Sequence, residues 1–405
     1  MARLKLASLF FGLFGTQILA ASVPREETDQ PAIAPRKVLS FPVSHSRHDE
    51  SNTDARRSLR RDDDFDTDTT VFNYSSISYL VELDIGTPAQ TVKVVIDTGS
   101  SELWVNPDCD NAASIPQQLE CIDNGSYRPS SSDSSEVSRL ESKIQYGLGD
   151  ATIRYVRDDI ALPNSDVDLS SVMFGVATKS EYMSHGILGL SFGNKYNLQY
   201  NTFVDELVEQ EIIDTRTVGI ALGAKNEKDH SGLISFGGVD TKKYVGNLHS
   251  APILGPQNDE DLYRYWVDLD KVAITDSRGT SKTYSDKKFP VFFDTGSTLS
   301  YLPSAIVDEL AKDLGARRDP NLDQMVVPCS HEGMLHFTFD NYTVDVDLHE
   351  FTWELSDGVT CAMGAEPDDS GAYILGASFL RSVYSELFPP DLTLFLKGQL
   401  APGNG

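Results

Sequence analysis

Val94-Val95-Ile96-Asp97-Thr98-Gly99-Ser100-Ser101-Glu102-Leu103-Trp104-Val105 sets a carboxylate between an apolar run and a glycine turn. The pattern returns 197 positions later, as Pro290-Val291-Phe292-Phe293-Asp294-Thr295-Gly296-Ser297-Thr298. A second segment repeats downstream of each copy. Gly186-Ile187-Leu188-Gly189-Leu190-Ser191-Phe192 stands about ninety positions after Asp97, and Tyr373-Ile374-Leu375-Gly376-Ala377-Ser378-Phe379 about eighty after Asp294. Internal repetition of a motif with its flanks means repeated architecture. The chain reads as a duplicated unit, two similar β-rich lobes that each bring one aspartate to a shared cleft.

These residues resemble the paired loops of pepsin-like aspartic endopeptidases, of the secreted fungal type that includes the yapsins and the Candida-type proteases. The resemblance covers almost all of the chain after residue 70. It implies an all-β, bilobal pepsin-like fold with two pseudo-symmetric lobes and a central cleft, and it assigns Asp97 and Asp294 as the catalytic pair. It also makes Thr98 and Thr295 the hydroxyls that link the two loops, and the Ile-Leu-Gly segments the strands behind them.

The chemistry accounts for the residue types. Two carboxyl groups held close together cannot both ionise easily, so they share a proton and their apparent pKa values split. One can then take a proton from an attacking water while the other donates to the carbonyl oxygen of the scissile peptide. Gly99 and Gly296 let the backbone turn sharply and bring amides near the carboxylates. Ser100 and Ser297 can hydrogen-bond the outer carboxylate oxygens.

From the N-terminus, residues 1–21 carry Arg3 and Lys5, then the apolar run Leu6 to Phe14, then small residues near Ala20, and read as a secretory signal too short to span a membrane. Residues 22–61 are rich in proline, serine and charge, have little to bury, and end in Arg56-Arg57-Ser58-Leu59-Arg60-Arg61 before Asp62-Asp63-Asp64, which reads as a dibasic processing site with cleavage after Arg60-Arg61. Within this expected propeptide, Arg36 to Val43 alternates like a strand. The resemblance implies an inhibitory segment whose basic side chain, Arg36 or Lys37, lies against the catalytic pair.

Charge supports the division. Residues 1–61 hold 10 Lys and Arg against 6 Asp and Glu, which leaves 24 against 55 in the rest, a net of −31 where the whole chain carries −27. A body this acidic offers no basic patch to neutralise phosphates, so nucleic-acid binding is excluded. Acid pH relieves its self-repulsion.

The expected lobes are residues 62–254, with the first aspartate and the flap, and 255–405, with the second. Val71 to Trp104 reads as strands broken at Gly86-Thr87-Pro88-Ala89. Asn201 to Ile213 and Ser304 to Leu314 have helical spacing. An inter-lobe linker is expected near Leu254 to Asp261, whose acidic Asn258-Asp259-Glu260-Asp261 is either a solvated loop or a border of the cleft that favours basic substrates. Lys143 to Ile153 reads as a hairpin with glycines at its tip. It resembles the family's flap, in which Tyr146 and Gly147 cover the substrate and Tyr146 interacts with Trp104; Leu148 departs from the small polar residue usual there. His185 and Ala377 stand where the family more often carries acids. His331 and His336 have no partner cysteines and are expected to serve packing.

Four cysteines in an exported chain imply disulfides, and three connectivities are open to them. The resemblance implies Cys109–Cys121 and Cys329–Cys361. Asn73, Asn124 and Asn341 head N-glycosylation triplets. The C-terminus lacks the long apolar tail of a lipid anchor. The expectation is a secreted, monomeric aspartic endopeptidase made as a zymogen, active at acidic pH on polypeptides in extended conformation, with no metal or organic cofactor and with its own propeptide as inhibitor. A vacuolar or cell-surface location is the alternative. The competing functions are a yapsin-like processing protease selective for basic sites and a non-catalytic binding protein on the same fold.

Overall fold

The computed structural model describes residues 37–47, 77–110, 115–147, 149–181, 185–224, 232–320, 322–355, 357–388 and 393–398. The expected signal segment, the Arg60-Arg61 site, Arg36, Asn73 and Leu148 lie outside them.

The first ten strands are β1 Leu39–Arg47, β2 Ile77–Ile85, β3 Gln90–Asp97, β4 Leu103–Val105, β5 Glu136–Gln145, β6 Asp150–Ala161, β7 Asp168–Glu181, β8 Gly186–Gly189, β9 Val218–Ala221 and β10 Gly232–Phe236. They join three later strands in a 13-stranded sheet, ordered His249–Pro252, Thr393–Lys397, Tyr384–Phe388, β9, β10, β1, β2, β3, β8, β4, β7, β6, β5. Strands from near the C-terminus thus pair with β9 of the first half, and one sheet carries both ends of the fold.

The repeat in sequence is a repeat in topology. In the first half β3 runs parallel to β8, with Asp97 opposite Gly189, and β8 pairs antiparallel with β4. In the second half Phe289–Phe293 runs parallel to Ile374–Leu375, which pairs antiparallel with Ser300–Leu302. Parallel strands buried on both faces read as continuous apolar runs, which is why Val94-Val95-Ile96 and Val291-Phe292-Phe293 show no alternation; all six are buried. Each run is an interior strand that delivers its aspartate.

The expected helices form with shifted ends. α1 Ile115–Asn124 spans the first disulfide loop, where the sequence suggests no element. α2 Phe203–Glu209 starts on a capping box, Thr202 accepting from the Asp205 amide and Asp205 from the Thr202 amide. α3 Ser304–Asp313 buries Ile306, Val307, Leu310 and Ala311, the periodic face. The expected linker, Leu254 to Asp261, lies within residues 253–265, which contain no strand, and Asn258 and Asp259 hold positive φ there.

The disulfides are Cys109–Cys121 and Cys329–Cys361. His336 Nδ1 lies 2.6 Å from Asp345 Oδ1 and its Nε2 2.8 Å from Thr275 Oγ1, tying it to the two neighbouring strands.

Within residues 22–61 a strand forms where the alternation predicts one, shifted to Leu39–Arg47. Residues 22–61 have a composition with little to bury, yet β1 is an interior strand between β10 and β2, and Phe41 and Val43 are buried in the main core. β1 pairs with β10 over Leu39–Val43 and with β2 over Ser44–Arg47, so two alternating apolar residues suffice because its backbone finds a partner along its whole length.

Candidate active site

Both aspartates end a buried strand and turn immediately at a glycine. Asp97 is 5% exposed and Asp294 9%. The Gly99 amide donates to Asp97 Oδ1 at 2.8 Å and the Gly296 amide to Asp294 Oδ1 at 2.9 Å. Ser100 Oγ donates to Asp97 Oδ2, and Ser297 Oγ to Asp294 Oδ2 at 2.7 Å. Each carboxylate is therefore aimed by one amide and one hydroxyl from its own loop.

The loops are locked to each other by their threonines. Thr98 Oγ1 donates to the Phe293 carbonyl and Thr295 Oγ1 to the Ile96 carbonyl, both at 2.7 Å. Each hydroxyl in turn accepts from the other threonine's amide, at 3.1 and 3.0 Å. All four partners are buried, so the set cannot be exchanged for water without cost. Glycine is required where the loops cross. A Cβ on Gly99 would come within 2.8 Å of the Asp294 carboxyl, and one on Gly296 within 2.7 Å of Asp97 Oδ1.

The two carboxyls consequently face each other in a nearly dry place. Burial first, and then the negative charge of Asp294, push Asp97 up to about 7, against the pull of Ser100 and Gly99. This is the behaviour for which paired aspartates are the standard case.

The hairpin of β5 and β6 turns between Tyr146 and Gly149, whose carbonyl accepts from the Tyr146 amide at 2.8 Å. Trp104 Nε1 donates to Tyr146 Oη at 2.7 Å. Burial and the nearby Asp97 charge push the Tyr146 phenol up, so it stays protonated. Gly147 has open space around its Cα, as a tip residue needs. Ile144, Tyr146 and Tyr155 of the hairpin pack on a small apolar cluster of their own, which includes Trp104, Ile153 and Ile187 and is separate from the main core.

Other expectations fall elsewhere. Lys37 does not lie against the carboxyl pair: its Nζ donates to the Glu211 carbonyl at 3.0 Å and its amide to Asp214 Oδ2. β1 runs into the sheet from that point, which fixes Lys37 beside the turn after α2. Asn124, at the end of α1, is only 6% exposed and its Nδ2 has no hydrogen-bond partner among the described residues, whereas Asn341 sits exposed in a turn. His185 Nε2 lies 2.8 Å from Glu120 Oε1, joining β8 to α1.

Two contributors escape a reading of the sequence. Arg264 donates from Nη1 to the Gly99 carbonyl and from Nε to Glu260 Oε2 at 3.1 Å, with its guanidinium 5.1 Å from the Phe292 ring centre. It props the first aspartate loop from behind and neutralises one acid of the 258–261 cluster. Glu102, two residues before Trp104, is buried against tyrosines. Glu102 stands two residues after Asp-Thr-Gly-Ser and directly before Leu103-Trp104-Val105, and an acid at the head of that apolar run is the available signal.

Fold and loops together define a bilobal, pepsin-like β protein with two facing aspartates. A profile of the eukaryotic aspartyl protease family matches residues 78–389. The chain belongs to that family and is a peptide hydrolase of the aspartic type. Among its relatives is the probable aspartic-type endopeptidase opsB of Aspergillus fumigatus, 29% identical over 391 residues, covering 90% of this chain and 76% of the relative. The aspartic proteinase yapsin-3 of Saccharomyces cerevisiae is 31% identical over 334 residues, 76% of this chain and 63% of the relative. The acid protease of Saccharomycopsis fibuligera is 29% identical over 343 residues, 81% and 82% respectively. Among the described residues no helix is long and apolar enough to cross a membrane.

Proposed function

We propose that this chain is the precursor of a secreted endopeptidase in which Asp97 and Asp294 together activate a water for attack on internal peptide bonds. The observation that carries the reading is the reciprocal threonine lock, which holds two carboxyls face to face with equivalent amide and hydroxyl donors on each. One carboxylate takes the proton of the water as its oxygen bonds to the peptide carbon. The protonated partner donates to the carbonyl oxygen, and the leaving nitrogen is protonated as the tetrahedral intermediate collapses. Because burial and mutual repulsion keep a proton on the pair, acidic to near-neutral pH is the working range.

The hairpin tip with Tyr146 and Gly147 covers an extended peptide and excludes water. Residues 1–21 direct export, residues 22–61 are the propeptide, and cleavage after Arg61 yields lobes of 62–254 and 255–405 that work as a monomer. The interior position of β1 supports a precursor whose leading strand belongs to the fold. How that segment restrains activity does not run through Lys37, which is bonded elsewhere.

The test is cleavage of a mixed peptide library by protein produced from the full chain, before and after processing, from pH 3 to pH 7. Activity blocked by a statine-type transition-state mimic and absent in Asp97→Asn and Asp294→Asn establishes the dyad. No cleavage by folded, processed protein at any pH overturns it in favour of a binding protein on the same fold.

A further inference from the structure

Glu102 is a carboxyl in a place where the fold asks for none. It stands five residues after Asp97; the residue five after Asp294 is Leu299, 5% exposed. The two positions are structurally matched, since the glycine of each Ile-Leu-Gly segment lies against them: a Cβ on Gly189 would strike the Glu102 backbone, and one on Gly376 the Leu299 backbone. The second half thus shows that an apolar side chain satisfies the architecture here. In the first half a carboxyl is 9% exposed instead, and among the described residues it makes no ion pair. Burying an acid without a cation is unfavourable, so its retention calls for a specific set of partners.

Those partners are two tyrosines. Tyr155 Oη donates to Glu102 Oε1 at 2.8 Å, and Tyr200 Oη donates to Glu102 Oε2. Tyr155 lies on β6, the return strand of the hairpin, and Tyr200 in the loop between β8 and α2. The two rings meet edge to face at 5.5 Å. Glu102 is also two residues from Trp104, which holds Tyr146 at the hairpin tip, and its charge is felt by the Tyr146 phenol. β6 is paired with β7 from Asp150 to Ala161, and its Val156 and Ile160 lie in the main core, whereas Ile144, Tyr146, Ile153 and Tyr155 pack on the separate apolar cluster, so the Glu102–Tyr155 contact falls at the step between the two.

We propose that Glu102 is a positioning residue that sets the β5–β6 hairpin over the aspartate pair, through the Tyr155 and Tyr200 hydroxyls, and so governs how tightly that hairpin closes on a bound peptide. The proposal rests on the endopeptidase reading above. The groups facing this carboxyl are Tyr155 from β6 and Tyr200 from the loop before α2, with Tyr146 at the tip; Asp97 lies beyond Tyr146. Burial raises Glu102 to about 7 against the Tyr155 hydrogen bond. The ionised form accepts from both phenols. The protonated form must donate its O–H to one of them, so one tyrosine reverses its role, and glutamine reproduces that arrangement while leucine removes it.

The experiment compares E102L, E102Q and the Tyr155→Phe, Tyr200→Phe pair in protein made from the full chain and processed. Steady-state kinetics on a peptide long enough to pass under the hairpin are read with hydrogen exchange of residues 143–153. E102L is expected to raise KM roughly five- to thirty-fold with kcat changed far less, the loss of two hydrogen bonds to a buried carboxyl. It should also speed exchange in the hairpin alone. E102Q is expected to recover most of the KM loss at pH 4, and to lose the change in KM that the unsubstituted protein shows as pH rises through about 7. KM, its pH dependence and hairpin exchange all unchanged in E102L and E102Q overturn the proposal. Asp97→Asn, run alongside, reports on the endopeptidase reading: it should abolish turnover and leave hairpin exchange as it was, so the two ideas fail separately.

Discussion

The two aspartate loops agree wherever they touch each other and differ wherever they touch the rest of the protein. Amide, serine and threonine contacts match atom for atom, and the amide and threonine hydrogen-bond lengths agree to about a tenth of an ångström. Beyond the serine the halves part. The first continues to Glu102 and Trp104, which carry the long hairpin; the second continues to Leu299 and Tyr301, with Tyr301 opposite Ile374 in its sheet. What two facing carboxyls require is duplicated, and what shapes access to them is built once. The symmetric part should therefore respond symmetrically to substitution and the rest should not.

The largest effect tests the symmetry of the chemistry. Asp97→Asn and Asp294→Asn should each lower kcat by about 10⁴-fold or more, and the double substitution should be scarcely worse, as for groups that act as one unit. A single substitution that retained a tenth of the activity would place the chemistry on one loop. Stability should tell the loops apart. Asp97 has a folded pKa near 7, above its unfolded value near 3.8, so its contribution is most favourable below pH 4 and is lost as pH rises towards 7. Asp97→Asn removes that loss, and its stability relative to the unsubstituted protein should climb by up to ~1.4 kcal/mol per pH unit across this window. Denaturant midpoints at pH 4, 5.5 and 7 measure it, and a constant difference would show that Asp97 ionises freely in the folded protein.

Next in size is the threonine lock. Thr98→Ala and Thr295→Ala each strip a buried amide and a buried carbonyl of a partner, at about 1–3 kcal/mol per orphaned group. The two variants should lose equal stability, read from thermal or denaturant unfolding. A clear inequality would mean that one loop holds the other and the grip is not mutual.

Legibility in the sequence divides along the same line. The duplicated word Asp-Thr-Gly-Ser and its Ile-Leu-Gly echo reveal the two-lobed β architecture and the facing pair, because each residue type there answers a local need: a turn, a donor, a buried parallel strand. The hairpin is readable from the glycines around Tyr146, and α2 and α3 from their apolar spacing. Residues defined by distant partners are not. Arg264 touches Gly99 across 165 positions and Tyr200 touches Glu102 across 98, and no periodicity records such contacts. β1 reads as a strand, but its interior place depends on β10 and β2, which the stretch itself does not reveal. The expectation for Lys37 fails for the same reason: it rests on resemblance, whereas the partner of Lys37 is set by where β1 enters the sheet.

The smallest predicted difference concerns the disulfides, one in each half. Cys109–Cys121 closes a separation of 12 residues and Cys329–Cys361 one of 32. If each acts by limiting the unfolded chain, the longer loop should be worth more, by about 1 kcal/mol on totals of about 3–4. Replacing both cysteines of a pair by alanine and comparing denaturant midpoints separates them. The geometry offers a way for this order to invert. Cys121 lies within α1, a helix held by the bond and by the Glu120 contact to His185, the residue just before β8, the strand that runs beside Asp97. Cys361 sits instead in a strand already paired on both sides, with Val327 and with Glu354. Should loss of the shorter loop prove the costlier, the bond would be acting on the native helix more than on the unfolded chain. The asymmetry between the halves would then extend from access to the site down to how each half is held together.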